Sequence, residues 1–203
     1  MIVPKTLPIH PFWNFSVKIY REPIVEESLI TLQNERGLNV NIVLFCCWFA
    51  LCDQGRIPKS DLKQILINIQ PWHDRIVLPL RRIRQQLKEQ LNPPWPEIRN
   101  EILRQELASE QIEQLIMLEQ YAYKTRPIRT TFQKIIDICK NIAVYCHLLQ
   151  VYLDASDCSS ISNVLGTIFS KIDHEDILRY CMEHLIEKEL QSMSLTAQFP
   201  LDL

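Results

Sequence analysis

The stretch Val40–Asp53, VNIVLFCCWFALCD, forms the centre of the predicted fold. Its middle is apolar on every side of a helix, whereas a helix at a protein surface is apolar along one stripe only. Asn39 precedes it as a candidate N-cap, and Gly55 follows it as a terminator. The uninterrupted apolar run, Ile42–Cys52, has eleven residues, well below the roughly 20 that cross a bilayer. We therefore predict a central buried helix and no membrane-spanning segment.

On both sides of this helix, apolar residues recur at intervals of three and four, the period of amphipathic helices. Gly37 is placed as a left-handed C-cap, and Pro71 predicts a break. Pro79 lies inside the next helical pattern and predicts a kink, while the proline-rich segment 92–96 is the clearest boundary. The prediction is an all-α fold, a single compact bundle of seven or eight helices around the buried central helix.

A Ser- and Asp-rich segment, residues 155–162, is the best candidate for a joint between domains. We predict a helical domain over residues 1–154 and a C-terminal helical extension over 155–203, packed on it. The extension ends in a short apolar tail that contains Phe199 and Leu201. Both a frayed terminus and a docking segment are compatible with that tail.

The composition describes a globular chain: 203 residues, 47% hydrophobic, 23% charged and a net charge of -2. Three glycines are too few for a Gly-rich phosphate loop, which needs several positions without a Cβ. The seven cysteines contain no CxxC pair and fit core packing in a reducing compartment. With no apparent signal peptide, the expected location is cytoplasmic.

No catalytic, cofactor or metal site is predicted. The five histidines are dispersed, and no nucleophile elbow is present. Cys139, Cys146 and His147 come closest to a ligand cluster, but Cys139 and Cys146 lie two helical turns apart, too far to share an ion without ligands from another element. We therefore expect a protein that is not an enzyme.

One dense basic stretch consists of Arg75, Arg81, Arg82, Arg84 and Lys88. Such a helix can meet phosphates, so nucleic-acid binding is one hypothesis, and an anion pocket at Arg81 or Arg84 is another. The next predicted helix, however, carries glutamates that can pair with these cations within or between chains: Glu97, Glu101, Glu106, Glu110, Glu113 and Glu119. An acidic protein partner is the remaining possibility.

The tryptophans differ in their setting. Trp48 lies in the apolar helix and is expected in the core, whereas Trp13, Trp72 and Trp95 lie at helix starts or in the proline loop. There a half-exposed ring can anchor a partner. The candidate partner-binding residues are Trp13, Trp72, Arg75, Arg81, Arg82, Arg84, Phe199 and Leu201.

Two blocks of sequence resemble a small proteobacterial family of uncharacterised helical proteins. Residues 12–48 follow the pattern FW-x-FS, then Y, LQ-x-x-x-G, VN and LF-x-x-W, and residues 72–88 begin with Trp72 and continue to V-x-PLR-x-x-R-x-x-LK. The resemblance covers residues 11–90 and extends weakly to 153. It implies that the last fifty residues are an extension beyond the usual length of the family.

The extended length, the helical pattern and the Ile-, Gln- and Cys-rich composition are similar to the small adaptors of the Legionella Dot/Icm type IV secretion coupling complex. This resemblance implies a chaperone-like virulence adaptor that recognises effectors. It implies as partners the adaptors IcmS and IcmW, the tail of the coupling ATPase DotL, and effector proteins. It also implies a position at the inner face of the membrane through that complex.

Overall fold

A computed structural model describes residues 7–88, 94–121 and 124–186. The elements are α1 (Pro11–Tyr20), α2 (Pro23–Arg36), α3 (Val40–Leu51), α4 (Lys59–Trp72), a π-helical segment (His73–Val77), α5 (Leu78–Gln86), α6 (Trp95–Glu119), α7 (Thr131–Leu149), α8 (Ala155–Ile168) and α9 (His174–Leu185). Because α4, the π segment and α5 follow one another without a gap, they form one helix whose α-helical pattern is interrupted by the π segment. Counted this way, the described residues hold eight helices and no strand. The prediction of an all-α fold is confirmed.

Residue contacts group these helices into two compact units. The first unit comprises the described parts of 1–14 and 59–123, and the second those of 15–58 and 124–203. Within the first unit, α4, the π segment and α5 pack against α6. Within the second, α7 packs against α3 and α9, and α8 packs against α2 and α9. The division into domains 1–154 and 155–203 stays a prediction.

Helix α3 forms the core of the second unit. Its residues 41–50 are all buried, as the apolar sequence around the whole helix requires. The ring of Phe45 lies 6.1 Å from that of Trp48 and 5.7 Å from that of Phe49, between ring centres. The prediction of a buried central helix is confirmed, and neither α3 nor another described helix is long and apolar enough to cross a membrane.

The predicted caps on either side of the α2–α3 turn are present. Gly37 has φ +68° and ends α2, with its N–H bonded to the carbonyl of Gln33 at 3.0 Å. Asn39 accepts the N–H of Asn41 through its side chain at 2.9 Å and so caps α3. The backbone N–H of Asn39 donates to the hydroxyl of Tyr145 at 2.8 Å, which ties this turn to α7.

The expected break at Pro71 is wrong. Pro71 lies inside α4, and the helical path continues into the π segment, where the N–H of Leu78 bonds to the carbonyl of His73. Proline has no N–H to offer the preceding turn, so Pro71 and Pro79 both weaken the regular α-helical ladder here. The π segment ends two residues before Pro79 and is a kind of irregularity often found at functional sites, while the kink expected at Pro79 stays a prediction.

The expected loop at residues 155–162 is wrong, because these residues form the first turns of α8; the domain boundary placed there stays a prediction. The side chain of Asp154 accepts the N–H groups of Ser156 at 2.8 Å and Asp157 at 3.1 Å. In return, the carboxylate of Asp157 accepts the N–H of Asp154 at 2.8 Å, which completes a capping box. Ser and Asp are enriched in loops and at helix N-termini alike, and here they start a helix.

Arg36, at the end of α2, binds the start of α8. The Nε of Arg36 lies 3.0 and 2.8 Å from the two carboxylate oxygens of Asp157, and its Nη2 binds Asp154. The carboxylate of Asp157 is almost completely buried. Burying a charge is costly unless it is paired, so Asp157 requires this arginine.

The seven thiols are free, and all but that of Cys52 are buried. Burial, with Cys181 adding to it, raises the pKa of Cys47 to about 12. Burial likewise raises the pKa of Cys146 to about 12. A thiol with such a pKa stays protonated and unreactive at neutral pH. The prediction that most cysteines serve core packing is confirmed.

We expect Asp154→Ala to lower the free energy of unfolding by about 1 kcal/mol at neutral pH, because α8 loses its N-cap. Asp154→Asn should lower it less, since asparagine is an equally good N-cap. The N–H of Asp157 is the main group that holds the pKa of Asp154 below its ordinary value, and the N–H of Ser156 and Arg36 contribute. Urea unfolding followed by circular dichroism measures these differences.

The charge of Asp154 therefore stabilises the fold above the unfolded-state pKa of about 3.9, and this contribution is lost as the pH falls through the lower folded-state pKa. The advantage of the wild type over Asp154→Asn should shrink below about pH 4. A difference between these two proteins that stays constant from neutral to acidic pH would contradict this account.

Candidate interaction site

The predicted basic stretch begins in the π segment and runs through α5 to Lys88. It packs antiparallel to α6, since Arg84 pairs with Glu106, and His73 pairs with Glu113 further along α6. The structure divides its cations into two groups. Arg81 and Arg84 point toward α6, whereas Arg75 and Arg82 are exposed.

The inward arginines bind carboxylates of α6. The Nε of Arg81 lies 3.0 Å from Glu106 Oε1, and its Nη2 lies 2.5 Å from Glu110 Oε1. Arg84 binds Glu106 with Nε and with Nη2, the latter at 3.1 Å. Glu106 thus receives two guanidinium groups. The pairing between the basic stretch and the following glutamates, which the sequence raised as a possibility, is confirmed for these two arginines.

Glu106, Glu110 and Glu113 form the acidic row, a set of carboxylates that share one face of α6 because they are four and three residues apart. Burial is the main cause that raises the pKa of Glu110, and the like charges of Glu106 and Glu113 add to it while Arg81 opposes it. The carboxylates of the acidic row therefore repel one another. The row's cationic neighbours are a structural requirement.

The π segment supplies a second set of contacts to the same face. His73 Nδ1 lies 2.8 Å from Glu113 Oε1, and the carboxylate of Glu113 is completely buried. Directly before this segment, the indole N–H of Trp72 donates to the carbonyl of Ser109 at 2.9 Å. Trp72 is half-buried, and its indole N–H is bonded within the first unit.

The outward side of the same helix remains available. We call Arg75, Ile76, Arg82 and Ile83 the basic face; Arg82 and Ile83 follow Arg75 and Ile76 by seven residues, which is two helical turns. Ile76 exposes 37% of its surface and Ile83 exposes 43%. Neither arginine has an ion pair with the part of the chain that the structure describes. No residue of α5 is fully buried.

Of the other predicted partner-binding residues, the structure describes Trp13. Trp13 is half-buried in α1, where its backbone N–H donates to His10 Nδ1 at 3.1 Å. Phe199 and Leu201 lie outside the described residues. The structure therefore brings together Trp72, Arg81 and Arg84 at the acidic row and leaves Arg75 and Arg82 at the surface. A role of any of these residues in partner binding stays a prediction.

The sequence raised Arg81, Arg84 and the glutamates of the acidic row as candidates for pairing, but it did not indicate which of them meet or that Glu106 and Glu113 are buried. The available signal was the spacing of Glu106, Glu110 and Glu113, which matches the three-residue spacing of Arg81 and Arg84 across two helices. His73 carried no such signal, because its partner lies 40 residues away in the chain. Among the described residues, no three His, Cys, Asp or Glu side chains are placed to hold a metal ion.

Residues 11–117 match the model of a family that is described as a protein of unknown function (DUF2390). The match covers just over half of the chain. The chain belongs to the DUF2390 family. No curated protein and no solved structure matches it.

The DUF2390 match extends from the start of α1 almost to the end of α6. It includes the complete basic face and the complete acidic row. The predicted resemblance to an uncharacterised small family is confirmed by this match. Helices α7 to α9 lie beyond the DUF2390 region.

We expect Glu106→Gln to lower the free energy of unfolding by about 3 kcal/mol, because two inward guanidinium groups lose the charge that compensates them. The matched control is Glu101→Gln, which removes an exposed carboxylate from the same helix and its pair with Arg104. The control should cost much less, since exposed pairs contribute little. Urea unfolding measures both. Equal losses in the two variants would show that the buried cluster does not hold α5 against α6.

Proposed function

We propose that this protein is a non-enzymatic adaptor that binds an amphipathic segment of another protein along the basic face. The observation that carries the proposal is the exposure of Ile76, in the π segment, and of Ile83, in α5. In addition, no residue of α5 is fully buried. Apolar side chains that are exposed along one side of a helix are typical of surfaces that receive a partner. This mode of binding requires shape and apolar area and needs no reactive group.

The charges beside these isoleucines favour a particular kind of partner. Arg75 and Arg82 flank them, and Lys88 is exposed at the end of the same helix. An interface usually has an apolar centre and a polar rim, and the rim selects partners of the opposite charge. The fitting segment is therefore a helix with apolar residues on one side and carboxylates beside them.

The finer form of the proposal rests on the resemblance in length, helical pattern and composition to LvgA, an adaptor of the Legionella Dot/Icm coupling complex. In that form, the protein is a chaperone-like subunit that binds IcmS, IcmW, the tail of the ATPase DotL and effectors in transit. It would then act at the cytoplasmic face of the inner membrane through the complex.

Two alternatives are less well supported. Nucleic-acid binding would use the cations of residues 75–88, but Arg81 and Arg84 are engaged by carboxylates of α6. An anion-binding pocket at Arg81 or Arg84 meets the same difficulty, because an incoming anion would compete with the buried carboxylate of Glu106.

The adaptor proposal is tested by purifying the tagged protein from its native cells at moderate and high salt, with mass spectrometry of the retained proteins. We expect stoichiometric partners that survive high salt, because an apolar contact loses little to screening. Ile83→Glu should reduce their retention roughly tenfold, the effect of losing about 1.4 kcal/mol of binding free energy.

The matched control is Ile128→Glu, which adds the same charge at an isoleucine that is 88% exposed in the other unit. It should leave retention unchanged. The partners are then identified with purified IcmS–IcmW and a DotL tail peptide. Recovery of the tagged chain alone, or equal loss in both variants, would contradict the adaptor proposal.

The nucleic-acid alternative predicts a different result for Arg82→Glu on a heparin column. Under the adaptor proposal, this variant should elute as Lys63→Glu does, since Lys63 is also an exposed cation and lies on α4 of the same unit. A selective loss of retention in Arg82→Glu, with steep dependence of wild-type elution on salt, would favour nucleic acid instead.

A further inference from the structure

Helix α2 presents a second amphipathic surface, and its charge is negative. Residues 22–35 contain four glutamates, all of them exposed, and Arg21 directly precedes this stretch. Arg36, at the end of α2, is paired with Asp154 and Asp157. The inner side of α2 is fixed by the buried residues Val25, Leu29 and Leu32. Its outer side therefore carries the carboxylates.

Two isoleucines lie among these carboxylates. Ile24 exposes 51% of its surface and Ile30 exposes 37%. Glu27 is three residues from each of them, so it lies between them on the helix surface. We call Ile24, Glu26, Glu27 and Ile30 the acidic face.

The basic face has the opposite charge and the same apolar content. Residues 75–88 contain five cations and no carboxylate, and Arg75 and Arg82 stand beside Ile76 and Ile83. The two arginines of the basic face and the two glutamates of the acidic face have no ion pair within the described ranges. The arginines of the basic face and the glutamates of the acidic face are therefore available for ion pairs with another molecule.

We propose that the basic face of one copy of this protein binds the acidic face of a second copy. The basic face spans residues 75–83 and the acidic face residues 24–30, so each covers about two helical turns. Each side supplies two exposed isoleucines, and the arginines of one copy attract the glutamates of the other, as opposite charges do between the helices of coiled coils. The proposal goes beyond the adaptor function: because it uses the same basic face, a second copy competes there with a foreign partner.

The two faces are different surfaces, so the contact is heterologous. Each copy that uses its basic face leaves its acidic face available for another copy. Association should therefore increase with protein concentration. Added salt should weaken it only in part, because screening reduces the attraction between the exposed charges and leaves the apolar contact.

The test measures the mass of the purified full chain by sedimentation over a range of concentrations and salt. Arg82→Glu and Glu27→Arg should each raise the dissociation constant roughly tenfold or more, because each places like charges opposite one another. An equimolar mixture of the two variants should restore association, since the charges introduced in the two chains are opposite in sign and face each other. The double variant should associate with itself for the same reason.

Matched controls apply the same charge changes elsewhere on the surface. Lys63→Glu lies on α4 of the first unit, and Glu183→Arg lies on α9 of the second, and both positions are exposed. Neither control should change association. Circular dichroism verifies that every variant keeps its helical content.

Three results would overturn the proposal: a wild type that stays monomeric up to about 1 mM, association that Arg82→Glu leaves intact, or single variants that do not recover on mixing. A monomeric chain that retains other proteins through Ile83 would assign the basic face to a foreign partner, which supports the adaptor function and overturns self-association. Self-association with the expected charge dependence, in a chain that retains no other protein, would support this proposal and contradict the adaptor function.

Discussion

The buried carboxylate of Glu106 is the constraint on which the first unit depends. A carboxylate away from water is tolerated only when cations and hydrogen bonds compensate it, and here two arginines do so. Glu110 and Glu113 lie on the same face of α6 and strengthen the demand for positive charge. The acidic row therefore determines which side of the basic helix faces inward.

The orientation of the basic helix has a direct consequence for its surface. Helices present residues seven apart on one side, so turning Arg81 and Arg84 inward turns Arg75, Ile76, Arg82 and Ile83 outward. The ion cluster and the exposed apolar side chains are thus two results of one arrangement. The ion pairs of Arg81 and Arg84 therefore help to specify how α5 sits on α6.

The second unit has an apolar core. Helix α3 is buried because its sequence is apolar on all sides. The charged contact between α2 and α8, Arg36 with Asp154 and Asp157, lies at a helix start. Both units therefore contain buried carboxylates that are paired with arginines, and the second also has an apolar core around α3.

The features that local physics controls could be predicted from the sequence: the helical period, the burial of α3, and the caps at Gly37 and Asn39. Each of them depends on residues within a few positions along the chain. The sequence misled at Pro71 and at residues 155–162. At Pro71 the helix continues in the folded protein. Residues 155–162 begin a helix because Asp154 and Asp157 form a capping box.

Which cations lie inside and which are exposed depends on tertiary packing. Arg81 and Arg82 are chemically identical and adjacent in sequence, and they differ because α6 brings Glu106 and Glu110 beside one of them. Such a pairing joins residues 25 and 29 positions apart, and no local pattern encodes it. The identity of the exposed surface therefore follows from long-range electrostatic pairing, while the fold class follows from the order of apolar residues along the chain.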